Sequence, residues 1–227
     1  MSISYRKSKF IRRSRLFRGS FKLWKPRLIF WTGALAIGVT SVAFAWVADM
    51  AQNAFLGITT SGGRTPLLPL VVTPLGFILS AWLAITLFPN SQGSGIPQAI
   101  AARHLHDEAD RSALLSLRIA FGKIGLTVLG LFCGASIGRE GPTVQVGASF
   151  MLAAARFGGM AQARGLILAG SAAGIAAAFN TPLAGIVFAI EEMSRAYESR
   201  ANGIVLTAVI LSGLAALGLS GNYNYFG

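Results

Sequence analysis

The chain has 227 residues, 53% of them hydrophobic and only 12% charged, with a mean hydropathy of +0.60. This excludes an ordinary soluble domain and indicates an all-α polytopic membrane protein. The formal net charge of +12 suggests nucleic acid only until its distribution is read. Ten of the twenty Lys and Arg (Arg6, Lys7, Lys9, Arg12, Arg13, Arg15, Arg18, Lys22, Lys25 and Arg27) fall in residues 1–27, which hold no acid, and no folded basic module follows them. Nucleic-acid binding is therefore not expected.

Residues 1–27 read as a basic cytoplasmic arm that fixes orientation and meets anionic lipid. The arm is too long and too basic for an ordinary cleaved signal peptide. Residues 28–48 follow as an apolar run without a charge. That is enough to cross a bilayer of about 30 Å at about 1.5 Å per residue. The next apolar stretch, 66–88, ends at Pro89-Asn90 and gives way to Gly93-Ser94-Gly95-Ile96-Pro97 before a short segment, 98–102. Arg103, Asp107, Glu108, Asp110 and Arg111 mark a return to water. Residues 113–133 then cross partway, the stretch from Gly134 to Pro142 breaks the helix, and 143–155 continues it. A further apolar region, 165–190, is interrupted at Asn180-Thr181-Pro182 and closes on Glu191, Glu192 and Arg195; the last run is 204–219, before a short outer tail, 221–227.

With each broken pair counted as one crossing, the chain crosses five times. The arm, the 103–111 loop and the 194–200 loop then face the cytoplasm, and fourteen of the twenty basic residues lie in them, adding Arg103, Arg111, Arg195 and Arg200 to the ten above. This satisfies the positive-inside rule and predicts a multi-pass protein of the cell membrane with a cytoplasmic N-terminus. An odd count leaves the two ends on opposite sides, as one half of an inverted-repeat transporter requires.

The chemistry concentrates at Gly138-Arg139-Glu140-Gly141-Pro142, which sets two charges in an otherwise apolar span, where charges are expensive and usually functional. The glycines permit a tight turn and Pro142 suits a first helical turn, so the amides around Glu140 are predicted at a helix N-terminus, an anion-attracting end. A glutamate at such a site competes with the anion and becomes a gate if protonation or rotation removes it. Broken helices at membrane depth are tolerated where they line a cavity or are buried in protein, so breaks at Gly93–Pro97 and Gly138–Pro142 point to one shared site. Gly170, Gly174 and Gly185, among small residues, read as helix-packing positions. Cys133 is the only cysteine, which excludes an intrachain disulfide and assigns it to packing. His104, His106, Asp107 and Glu108 read as a solvated turn and not a metal site. With no phosphate loop and no Ser/His/Asp arrangement, neither a metal, a cofactor nor an enzymatic activity is expected.

Three segments in order, Gly93–Pro97, Gly138–Pro142 and Phe179-Asn180-Thr181-Pro182-Leu183-Ala184-Gly185 leading into Glu191-Glu192-Met193, resemble the CLC family of chloride channels and chloride/proton antiporters. The resemblance covers residues 28–220 and implies one inverted-repeat half of a CLC-like fold with broken, re-entrant helices. It implies that the Ser94 hydroxyl donates to a central chloride, that amides around Ser94, Gly95 and Ile96 line the inner site, and that amides near Arg139, Glu140 and Gly141 line the outer one. Neutral donors hold an anion firmly enough to replace its water and loosely enough to release it. In the family a proline at the Ser94 position goes with nitrate preference, so serine here implies chloride. Glu140 matches the external gating glutamate, and Glu192 the inner proton carrier of the antiporters. Lys123 matches a lysine that keeps the pore potential positive.

The implied function is chloride/proton antiport, with chloride and protons as partners and dimerisation through helices 182–193 and 204–219. The alternatives are a passive voltage- or proton-gated chloride channel and a non-transporting membrane fragment. The family's second half supplies a Gly-x-Phe-x-Pro segment and a tyrosine hydroxyl that this sequence lacks, so transport is expected to require a second half from elsewhere.

Overall fold

The computed structural model describes residues 3–60, 67–160, 163–194 and 202–221; over 3–23 and at positions 194 and 202 only the backbone is described. Arg195 and Arg200 of the 194–200 loop, and nearly all of the predicted 221–227 tail, lie outside the described residues. The elements are α1 (Ile3–Thr60), α2 (Pro69–Thr86), α3 (Ile96–His104), α4 (Glu108–Leu114), α5 (Leu117–Phe132), α6 (Glu140–Gly158), α7 (Ala163–Ala178), α8 (Pro182–Phe188), a π-helical turn (Ala189–Ser194) and α9 (Asn202–Ser220).

Helix α7 lies at the centre because its sequence is apolar and small all round, with every residue from Leu166 to Ala177 buried. It packs against α6, α9 and α1. Glycines set the closest of these crossings. A methyl group at Gly147 of α6 would collide with the carbonyl of Gly170, and one at Gly174 with the carbonyl of Thr143. Gly185 of α8 meets Ala172 and Ala176 in the same way. The predicted packing role of Gly170, Gly174 and Gly185 is what the structure shows, with backbones brought together where side chains would hold them apart. Cys133 is buried against Gly76 of α2.

Among the described residues, four helices are long and apolar enough to cross a membrane, within Trp24–Thr60, Pro69–Thr86, Glu108–Phe132 and Gly203–Ser220, and the chain is a multi-pass membrane protein. Only 11% of the α2 window is buried, and Leu70, Ile78 and Ile85 stand outward, so α2 is the peripheral span of this chain.

The five-crossing count needs correction. At the Gly134–Pro142 and Asn180–Pro182 breaks the chain does not continue in one direction; it reverses. At one end of the bundle, the arm end, Arg27 and Trp24 share a cavity with Gly159 and Gly203, and Arg156 at the end of α6 pairs with Glu108 and Ser112 ahead of α5. At the opposite end, Arg139 before α6 pairs with Asp49 of α1, a side chain at Gly134 after α5 would meet Phe55 of α1, and Asn180 donates to the carbonyl of Gly221. Helices α5 and α6 therefore form a hairpin, as do α7 and α8. The passages between the ends are α1, α2, α5, α6, α7, α8 with its π turn, and α9, which makes seven among the described residues. Seven is also odd, so the first and last passages still finish at the same end.

Two further expectations change. The backbone of the basic arm, from Ile3, is one helix with the first span and not a separate element. Arg103, expected in water, is 6% exposed, and its Nη1 donates to the carbonyl of Met193 at 2.6 Å.

Candidate functional site

After α2 the chain turns back into the bundle instead of leaving it. Helix α2 ends at Thr86, Asn90 in the following turn adopts a left-handed conformation (φ 69°), and residues 91–95 lead to the start of α3. Lys123 on α5 holds this return loop. Only 2% exposed, its ammonium donates to the carbonyls of Ser91 (2.7 Å), Gly93 (2.5 Å) and Gln92 (3.4 Å). Gln145 of α6, fully buried, donates through Nε2 to the carbonyls of Asn90 and Leu114, both at 3.0 Å. Buried polar groups are normally paired, and here the pairing fixes the loop from two sides.

Gly95, at φ 100° and ψ −22°, caps α3 in a conformation that L side chains rarely adopt. A Cβ there would lie 2.9 Å from the Cβ of Gln145 and 3.1 Å from the carbonyl oxygen of Gly141. Across the contact, a Cβ on Gly141 would lie 2.9 Å from the Ser94 carbonyl oxygen. The two glycine-rich breaks thus meet backbone to backbone, with the N-termini of α3 and α6 converging. Ser94 is exposed, and its hydroxyl oxygen accepts from the Ile96 amide at 3.4 Å, which leaves the hydroxyl hydrogen able to turn outward. Ile96 is the first residue of α3, so its amide has no partner within the helix and only this long bond to Ser94.

Glu140 is the first residue of α6 and Pro142 lies in the same first turn. The Glu140 carboxylate folds back over Gly138, whose missing side chain leaves the space it occupies. A cavity of about 220 Å³ opens beside it, lined by Asp49, Gln52, Ile137, Gly138, Arg139 and Glu140. Within it, Arg139 donates through Nη1 to Asp49 Oδ1 at 2.6 Å and to the Ala45 carbonyl at 3.1 Å, tying the start of α6 to α1.

The structure brings together Ser94, Gly95 and Ile96 with Gly141 and Gln145, and places Lys123 beneath the same loop. Glu192 stands apart. It lies in the π turn, exposed, and Glu191 is equally exposed, so exposure does not separate the two carboxylates. His106 pairs with Arg164 at 2.7 Å, and no group of metal-ligating side chains occurs among the described residues. Sequence reasoning missed Gln145 and Asp49. Gln145 had a usable signal, as a polar residue within an apolar helix five positions after Glu140.

Residues 75–227 match the profile of the voltage gated chloride channel family. The H(+)/Cl(-) exchange transporter ClcA of Citrobacter koseri is 36% identical over 189 residues, covering 78% of this chain and 38% of that protein. ClcA of Salmonella arizonae is 33% identical over 220 residues, covering 90% of this chain and 45% of the relative. Among solved structures, a slow cyanobacterial Cl-/H+ antiporter superposes with a TM-score of 0.75 at 25% identity, over 88% of this chain and 48% of that one. A eukaryotic CLC transporter superposes with a TM-score of 0.67 at 25% identity, over 84% of this chain and 38% of that one. The chain spans less than half the length of these relatives. With its helix order, its paired breaks and these matches, the chain belongs to the CLC family of voltage-gated chloride channels and chloride transporters.

Proposed function

We propose that this chain contributes one inverted half of a chloride/proton antiporter, the other half coming from further residues or from another chain. The observation that carries the reading is the contact between Ser94-Gly95 and Gly141, which brings two helix N-termini together with Glu140 beside them, at the cleft proposed to take the anion. Helix starts offer oriented amides and a positive dipole end, suited to a dehydrated anion. In this reading Ser94, Gly95 and Ile96 line the inner and central positions, and the amides of Arg139, Glu140 and Gly141 line the outer one. The Glu140 carboxylate occupies the outer position until it is protonated, and Glu192 receives protons from the cytoplasm, which the basic arm places at the arm end. Lys123 shapes the loop and contributes positive potential. The tie to two H(+)/Cl(-) exchange transporters favours antiport over passive conduction. The apolar faces of residues 182–193 and 204–219 are proposed to carry dimer contact.

The test is paired chloride and proton flux in proteoliposomes of the protein purified from its native membrane with whatever it assembles with. Glu140→Gln should leave chloride flux indifferent to pH and uncoupled from protons. Wild-type coupling in that variant would remove Glu140 from the gate.

A further inference from the structure

Arg103 is a charge buried where the sequence predicted water. Taking a guanidinium out of water is costly unless it is well paired, so its position needs a structural return. Its Nη1 donates at 2.6 Å to the carbonyl of Met193, a residue 90 positions away and 2% exposed. Met193 follows Glu192 directly, and both sit in the π-helical turn Ala189–Ser194. Single π turns within helices recur at functional sites, because they splay the backbone and re-aim side chains. The other end of α3 is Gly95, in contact with Gly141 and Gln145. Nine residues of helix, about 13 Å, therefore join the anion cleft at one end to the turn bearing Glu192 at the other.

We infer that Arg103 is a positioning residue: by holding the Met193 carbonyl it fixes the turn that carries Glu192 relative to the anion cleft, and so sets how many protons accompany each chloride. The inference rests on the reading of Glu192 as the inner proton carrier. Arg103 itself touches neither ion; it acts through the backbone beside Glu192. A guanidinium suits the task because it reaches far from its backbone and stays charged when buried.

The experiment measures the ratio of proton to chloride flux in proteoliposomes of the protein purified from its native membrane, for wild type, Arg103→Gln, Arg103→Lys and Glu192→Gln. Arg103→Gln should lower the ratio about tenfold, the factor that accompanies loss of one charge-assisted hydrogen bond, while chloride flux persists. Arg103→Lys keeps the charge but not the reach, and should lower the ratio by a smaller factor, about threefold. An unchanged ratio in either variant, whether both fluxes persist or fall together, would overturn the inference. Should Arg103→Gln fail to accumulate, Arg103→Lys decides alone. Glu192→Gln separates the two levels: if it leaves the wild-type ratio, the reading of Glu192 fails; if it stops protons while the Arg103 variants stay coupled, only the inference fails.

Discussion

Gly95→Ala is the substitution that most sharply probes the meeting of the two breaks. At φ 100° an alanine is strained, by about 1–3 kcal/mol. Its methyl group would also lie 2.9 Å from the Cβ of the fully buried Gln145 and 3.1 Å from the Gly141 carbonyl oxygen. Neither neighbour is the free end of a flexible chain, so α3 and α6 must separate, at a further cost of about 1–3 kcal/mol. If the total, about 2–6 kcal/mol, opposes the assembled cleft, chloride affinity falls by at least roughly 30-fold, which calorimetric titration of the purified protein would show. Where the penalty falls on folding instead, the variant melts lower and accumulates less. Gly125→Ala is the control, since a methyl group at Gly125 meets nothing within 4 Å and should change stability by less than about 1 kcal/mol. If the two variants bind chloride and melt alike, the close approach of α3 and α6 is not what builds the site.

Ser94→Pro removes both the hydroxyl and an amide hydrogen at the cleft, and should raise nitrate flux relative to chloride; an unchanged exchange ratio would mean that Ser94 does not face the anion. Lys123→Met withdraws the ammonium from three loop carbonyls, leaves buried acceptors unpaired and should cost about 3 kcal/mol. The melting midpoint should fall by roughly 6–12 °C and added chloride should restore less of it than in wild type. An unaltered melt would show that the loop holds its shape without the lysine.

The breaks were legible because glycine and proline announce them, and the charges at Arg139 and Glu140 stand out against an apolar background. Chain direction was not. Hydropathy registers apolar length, so residues 113–133 and 143–155 read as one interrupted crossing, whereas the left-handed Gly134 (φ 86°) turns the chain and sends α6 back toward the arm end. The same limit hid the α7–α8 hairpin, whose turn at Asn180 (φ 51°) was recognised as an interruption but not as a reversal. Arg103 misled for another reason. A charge next to His104 and a run of acids looks solvated, and its partner is a backbone carbonyl 90 positions away that no spacing rule reaches. Asp49 was missed likewise, because its partner Arg139 meets it only once α1 lies beside the start of α6.

The central claim is that the anion sits beside the meeting of α3 and α6, at the Ser94 hydroxyl and the amides of the two helix starts. Bromide replaces chloride and scatters anomalously, so a crystal of the purified protein grown in bromide locates the ion directly. The account predicts an anomalous peak within hydrogen-bonding reach of the Ser94 hydroxyl and the Ile96 amide, and a second beside the amides of Glu140 and Gly141 once Glu140→Gln has vacated that position. Bromide bound elsewhere, with no density at the starts of α3 and α6 in either protein, would contradict it.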